Sequence, residues 1–220
     1  MSQERSFADV VRSRRMRRSF DRRPVEPELL ENLVDLATRA PSAGKTQGWH
    51  LVALQDAATD RFWRHTLAPE RRSTFRWQRL LDAPVILLPF ADPAAYVARY
   101  SEADKVRSGL GAGVEAWPAP YWTIDASMAV MTVLLAAEDA GLGALFFGVF
   151  QGEAALREEL GIPERLELLG AIALGWPSAD DTGGTGGTGG TGGTGGTGGS
   201  GRSAARRRRA PAEVLHHGHW

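Results

Sequence analysis

Arg14-Arg15-Met16-Arg17-Arg18-Ser19-Phe20 sets four cations in seven positions, and Pro41-Ser42-Ala43-Gly44-Lys45-Thr46-Gln47-Gly48-Trp49 follows after one helical pattern. Seven arginines fall within residues 12–23, and Arg206, Arg207, Arg208 and Arg209 form a second run near the other end. The chain is otherwise balanced, with 26 Lys plus Arg against 26 Asp plus Glu. A neutral chain that gathers positive charge at both ends is suited to closing them around an anion. Arginine's planar fork binds phosphate through two parallel hydrogen bonds, so a phosphate-bearing small molecule is the expected occupant. Read alone, the same arginines are also a solvated basic face, and Pro41-Ser42-Ala43-Gly44 is also an ordinary turn after a helix.

Pro24-Val25-Glu26-Pro27-Glu28 opens a helix, because proline suits a first turn and acidic side chains favour the positive end of the helix dipole. Leu29, Leu33, Leu36 and Ala40 keep helical spacing as far as Pro41. Residues 50–54 read as a strand, 61–81 as a helix with Trp and Arg interleaved, and 84–90 (PVILLPF) as a buried strand. Residues 92–120, rich in proline and glycine, form a long excursion of the kind that is functional or mobile in compact domains. The pattern over 124–140 predicts the best helix, apolar around most of its circumference, with Ile124, Met128, Met131, Leu135 and Ala136 on one side. A strand at 144–147, a helix at 153–160 and a strand at 166–176 complete an alternation that gives an α/β or α+β class.

Six Thr-Gly-Gly triplets occupy residues 182–199. Without apolar side chains, and with maximal backbone freedom, they are expected to be a flexible tether. The expected organisation is a domain over 1–181, a tether over 182–201 and an arm over 202–220 that completes the same domain.

There are no cysteines, which excludes disulfides, thiolate metal sites and cysteine nucleophiles. His216, His217 and His219 lack companion carboxylate spacing, so no metal is expected. The apolar stretches are too short or too interrupted to span a bilayer, and the first residues carry no apolar signal core, so a cytoplasmic protein is expected. Zero net charge argues against a nucleic-acid arm. No Gly-x-Gly-x-x-Gly follows a predicted strand, so no separate dinucleotide-binding domain is expected, and no Gly-x-Ser-x-Gly, P-loop or HExxH pattern occurs.

Together, the Arg14–Phe20 and Pro41–Trp49 segments resemble the nitroreductase family of FMN-dependent oxidoreductases, whose patterns are R-R-S-x-R-x-F/Y and P-S-x-x-N-x-Q-P-W. The resemblance continues through Gly141-Leu142-Gly143-Ala144-Leu145-Phe146-Phe147-Gly148, through Leu174-Gly175-Trp176-Pro177, and into the terminal arginine-rich segment. Arg99-Tyr100-Ser101-Glu102-Ala103-Asp104-Lys105 and Trp117-Pro118-Ala119-Pro120-Tyr121-Trp122 look like a bacterial subgroup of that family. The family's asparagine is Lys45 here, and the proline before Trp49 is Gly48.

The resemblance implies an α+β fold, a central mostly antiparallel sheet flanked by helices, and a homodimer with FMN at its interface, built from both subunits. The helix at 124–140 is the natural interface. By the same resemblance, Arg14 and Arg18, with the main chain near Arg15 and Met16, hold the phosphate and ribityl chain, and Arg206 and Arg208 reach that phosphate too. Pro41 opens a loop whose Ser42, Ala43 and Gly44 pass beneath the flavin, where only small residues allow close approach. Gln47 hydrogen-bonds the ribityl or ring. Main-chain amides at Phe146, Phe147 and Gly148 face the pyrimidine edge and favour the charge that develops on reduction; the two phenylalanines also read as plain core residues. Tyr100, Lys105, Trp117 and Trp122 are candidates for a lid that stacks on small planar organic substrates, or for a merely structural loop.

The implied activity is hydride transfer from NAD(P)H through flavin N5 to a nitroaromatic, quinone or similar conjugated acceptor, in ping-pong fashion and without a catalytic side chain or metal. The alternatives are a specialised flavoenzyme that dehydrogenates a metabolite or consumes flavin, and a flavin-binding protein without turnover.

Overall fold

The computed structural model of the chain describes residues 5–179 and 207–218. The chain divides into two units, Met1–Asp181 and Thr182–Trp220. The Thr-Gly-Gly run expected to be a tether lies outside the described residues, as do Arg206 and His219.

Helix α1 (Phe7–Ser13) is capped by Ser6, whose side chain accepts from the Asp9 amide. Helix α2 (Pro27–Ala37) starts on Pro27 and buries Leu30, Leu33 and Ala37. Strand β1 (Trp49–Gln55) precedes α3 (Thr59–Thr66) and the short α4 (Pro69–Arg72). The single helix expected over 61–81 is therefore broken. Ala68 stands before Pro69 and takes an extended ψ of 136°, as the crowding of a following proline ring demands. Then come β2 (Val85–Ala91), α5 (Pro93–Tyr100), α6 (Tyr121–Asp139), β3 (Gly143–Phe147), α7 (Glu153–Leu160), β4 (Glu167–Leu168) and β5 (Ala171–Gly175). The excursion at 92–120 is thus not irregular throughout, since α5 and three 3-10 turns occupy much of it.

The sheet runs β1-β2-β5-β3, with β4 also paired to β2, and every pairing is antiparallel. The α+β class holds. Strand β2 is buried along its whole length, which is why its sequence is a continuous apolar run rather than an alternation. Val85 and Leu87 join Leu33, Val133 and Ala137 in the core on one side. Ile86, Leu88 and Phe90 join Phe62, Trp63 and Leu156 on the other. Each such Leu, Ile or Phe contributes roughly 1.5–3 kcal/mol by leaving water.

The final strand expected over 166–176 is split at Leu169-Gly170. The carbonyl of Pro89 in β2 accepts from the Leu169 amide at 3.0 Å. A strand residue's N–H and C=O point to the same side, so the missing proline N–H faces this break and costs no bond to β1. Gly170 takes φ +143°, and a Cβ there would lie 2.6 Å from the Phe147 carbonyl.

Helix α6 buries its small residues, Ala126, Ala129, Val133 and Ala137, against the sheet and α2. Ile124 and Met131 stay 43% and 41% exposed, so the helix is apolar on two faces but covered on one. No helix among the described residues is long and apolar enough to cross a membrane.

Candidate functional site

The arginine segment lies along the free edge of β3. Met16 bridges Ala144, the Arg17 amide donates to the Ala144 carbonyl at 2.9 Å, and Phe20, fully buried, bridges Pro177. Edge cover of this kind protects β3, and it sets Arg18 near the end of that strand.

Beyond that end lies a cavity of about 600 Å³. Its wall includes Arg18, Phe62, Trp63, Arg71, Phe75, Arg76, Trp77, Phe146, Phe147, Gly148 and Phe150, and no acidic side chain among the described residues. Three arginines and an aromatic wall suit a planar, anionic ligand. Trp63 stacks on Phe147 (centroids 6.1 Å apart, 7° between planes), and Phe62 meets both edge-on. The Phe147 ring is locked, as the plain core reading of it requires, and the main chain that follows is held beside the cavity. The guanidinium groups of Arg18 and Arg76 each lie 5.5 Å from the centre of the Trp77 ring.

Arg14 supplies the test of fit to a phosphate. Its Nη1 is buried without a hydrogen-bond partner among the described residues. A buried unsatisfied donor on a charged group costs more than about 1–3 kcal/mol, so an acceptor belongs there. Arg15 is bound locally instead, donating to the carbonyls of Arg12 and Arg14. In the second unit, Arg207 pairs bidentately with Glu213 (2.6 and 3.1 Å) and Arg209 donates to the Glu213 carbonyl. Arg207 heads the causes that hold the Glu213 carboxyl below its usual range. Arg208 is exposed and has no ion-pair partner among the described residues.

The other expected contacts gather elsewhere. None of the residues 41–47 lines the cavity. They form a 3-10 turn, Ala43–Lys45, packed against α5 and α6. The Ala43 amide donates to Asp125 Oδ2 at 2.7 Å, and the Gly44 carbonyl accepts from Arg99 Nε at 3.0 Å. Gly44, Lys45 and Gln47 all have positive φ (62°, 55° and 52°). A Cβ on Gly44 would lie 2.9 Å from the Tyr100 ring, which explains the glycine. Lys45 stands where the resembled pattern has asparagine, a residue that tolerates this backbone region better. Gln47 is exposed, and its amide donates to the Thr38 carbonyl at 3.1 Å.

Arg99 also clamps Asp104 through two bonds (2.7 and 2.8 Å), and this pairing draws the Asp104 carboxyl down to about 2. The pair ties the start of the excursion to the 41–47 turn. Lys105 Nζ lies 5.9 Å from the centre of the Tyr100 ring.

Trp117 and Trp122 require a correction. Both are 8% exposed and pack around Tyr96, and their indole N–H groups are satisfied by the Leu110 carbonyl (3.0 Å) and Glu167 Oε2 (2.9 Å). They are core residues, and of the two only Trp122 reaches a cavity wall, that of a separate hollow it shares with Val97, Val114 and Arg165. The aromatic surface of the cavity that Arg18 lines comes instead from Trp63, Phe75 and Trp77, which sequence reasoning missed. Its one signal was the Trp–Arg interleaving, read as a helix face. Asp125 was also missed, although a lone acid inside an apolar helix was visible. No metal-binding cluster occurs among the described residues.

Comparison with known proteins gives a match to the model of the Nitroreductase family over residues 11–176. An NADH dehydrogenase of Thermus thermophilus is 30% identical over 183 residues, covering 76% of this chain and 84% of that protein. A 5,6-dimethylbenzimidazole synthase of Rhodospirillum rubrum is 29% identical over 178 residues, covering 74% and 78%. Among solved structures, the nitroreductase CinD of Lactococcus lactis, in complex with nicotinic acid, superposes with a TM-score of 0.62 at 22% identity, covering 80% of this chain and 92% of that one.

Proposed function

The chain belongs to the nitroreductase family, and from that premise we propose that this oxidoreductase is an FMN-dependent enzyme oxidising NAD(P)H and reducing a nitroaromatic, quinone or similar conjugated acceptor. The observation that carries the reading is the meeting of Arg18 and residues 146–148 at an aromatic cavity; Arg14, four residues before Arg18, does not line it, but its buried Nη1 has no acceptor among the described residues. When bound, FMN supplies hydride acceptance and donation at N5, first from the nicotinamide and then to the acceptor.

The chain's own residues supply grip, shape and dryness. Arg14 and Arg18 hold the phosphate, with Arg15 and Met16 presenting main chain to the ribityl. Arg208 has no ion-pair partner among the described residues, and Arg206 lies outside them. The main chain at Phe146, Phe147 and Gly148 faces the ring edge, and Phe62, Trp63 and Trp77 exclude water from the cavity. Pro41, Ser42, Ala43, Gly44 and Gln47 pass under the ring. Because these last residues do not line the same cavity of one chain, the site needs two copies: a homodimer in which each protomer's 41–47 turn completes its partner's cavity. The half-exposed Ile124 and Met131 on α6 form the apolar interface. Tyr100 and Lys105 remain as the substrate-facing part of the excursion, and the protein works in the cytoplasm.

Purified protein should be yellow and should bleach anaerobically with NADH or NADPH. A colourless protein that cannot be reconstituted with FMN refutes the reading, and a yellow protein that NAD(P)H cannot bleach is a flavin-binding protein without turnover. The 29% identical relative is named 5,6-dimethylbenzimidazole synthase, and that product carries the dimethyl-substituted benzene ring also found in flavin, which favours one second reading, a specialised flavoenzyme that consumes flavin. FMN recovered intact after many turnovers removes it.

A further inference from the structure

Asp125 is 3% exposed and is the one acidic residue of α6 before Glu138 and Asp139 at its end. A buried carboxylate is costly unless hydrogen-bonded, and two donors reach the same oxygen, Oδ2: the Ala43 amide at 2.7 Å and the Tyr96 hydroxyl at 2.7 Å. Tyr96 is fully buried, and burial together with this hydrogen bond pushes its hydroxyl pKa up, so it stays a donor. Its ring occupies the space a side chain at position 48 would need, since a Cβ on Gly48 would lie 2.6 Å from Tyr96 Cε2. Gly48, Tyr96 and Asp125 thus form one packed unit that ends on the Ala43 amide.

What that amide controls is a strained turn. Lys45 and Gln47 adopt φ +55° and +52°, and such conformations persist only where surrounding contacts over-determine them. We infer that Asp125 is the positioning residue of the 41–47 turn: its carboxylate, aligned by Tyr96 in the room left by Gly48, holds the Ala43 amide so that the turn presents a fixed surface to the planar cofactor. This rests on the proposed FMN reading for its consequence, but not for the anchoring itself.

The test uses the full chain, with amide hydrogen exchange measured on the FMN-free protein and FMN affinity by fluorescence titration. In the wild type, the Ala43 amide should be protected; an Ala43 amide exchanging freely overturns the anchoring without any variant. Asp125→Ala should speed Ala43 exchange and raise the FMN Kd, each by at least about tenfold, the scale of one hydrogen bond to a charged group. Asp125→Asn keeps an acceptor oxygen and loses only the charge, so on both measurements it should fall between wild type and Asp125→Ala. Val133→Ala, a core truncation elsewhere, should lower the melting temperature and leave Ala43 exchange and FMN affinity unmoved. A folded Asp125→Ala protein with wild-type exchange and affinity overturns the proposal. If the wild type binds no FMN, the functional reading falls and the exchange data alone decide the anchoring.

Discussion

Replacing Arg14 by methionine should move stability and cofactor binding in opposite directions. Methionine keeps most of the apolar stem but removes a guanidinium whose Nη1 is buried without a partner among the described residues. In FMN-free protein the change removes an unsatisfied donor worth about 1–3 kcal/mol, so the melting temperature should hold or rise. In FMN-loaded protein it removes a charge-assisted bond worth about 1.5–3 kcal/mol, which for a mid-range value raises Kd on the order of 30-fold. With FMN at 100 times the wild-type Kd, ligand stabilisation is about 2.7 kcal/mol and should fall to about 0.9 kcal/mol in the variant. The FMN-induced rise in melting temperature should therefore shrink by about 4–7 °C, taking about 2–4 °C per kcal/mol for a chain of this size. Thermal melts with and without FMN, alongside fluorescence titration, measure both effects. Arg12→Met, at a side chain 78% exposed, is the control and should change neither. A variant that destabilises the FMN-free protein while keeping wild-type FMN affinity would make Arg14 a structural residue and refute the phosphate assignment.

Lys45→Asn should stabilise the chain by about 0.5–1 kcal/mol, because asparagine visits the left-handed region more cheaply than lysine; a lower melting temperature would contradict the strain at this turn. Wild-type protein should sediment as a dimer and Met131→Glu as a monomer with weakened FMN binding, whereas a monomeric wild type that retains FMN would remove the shared-site reading. Asp104, held by Arg99 at about 2, should stay ionised well below the usual carboxylate range. Because its folded value is depressed, whatever it contributes is complete above about pH 4 and lost as pH falls towards 2. A carboxyl-carbon NMR titration of Asp104 with a midpoint near 4 would show that the Arg99 clamp is absent in solution.

Much of the fold was legible because it is locally encoded. The helix expected at 153–160 is α7, the 124–140 pattern became Tyr121–Asp139, and PVILLPF became a strand buried on both faces. Proline sterics also explain the main misreading, since the Trp–Arg periodicity of 61–81 masked the break that Pro69 imposes. Site residues were legible where a chemical group alone suggests the role: arginines for phosphate, and small residues for a close backbone approach. They were illegible where the role depends on a distant partner. Trp117 and Trp122 are aromatic whether they face a substrate or the core, and only Leu110 and Glu167, meeting their indole N–H groups, decide for the core.

By itself, the amino-acid order determined the succession of helices and strands, the cation-rich segments and the family pattern, because each arises from neighbours along the chain. Tertiary structure alone decided that Met16 lies beside β3 and Phe20 beside Pro177, that Trp63 stacks on Phe147, and that Asp125 reaches 82 residues back to the Ala43 amide. Such contacts pair groups far apart in the chain, whose compatibility is tested only when the sheet closes and water leaves. Local periodicity carries no record of that event.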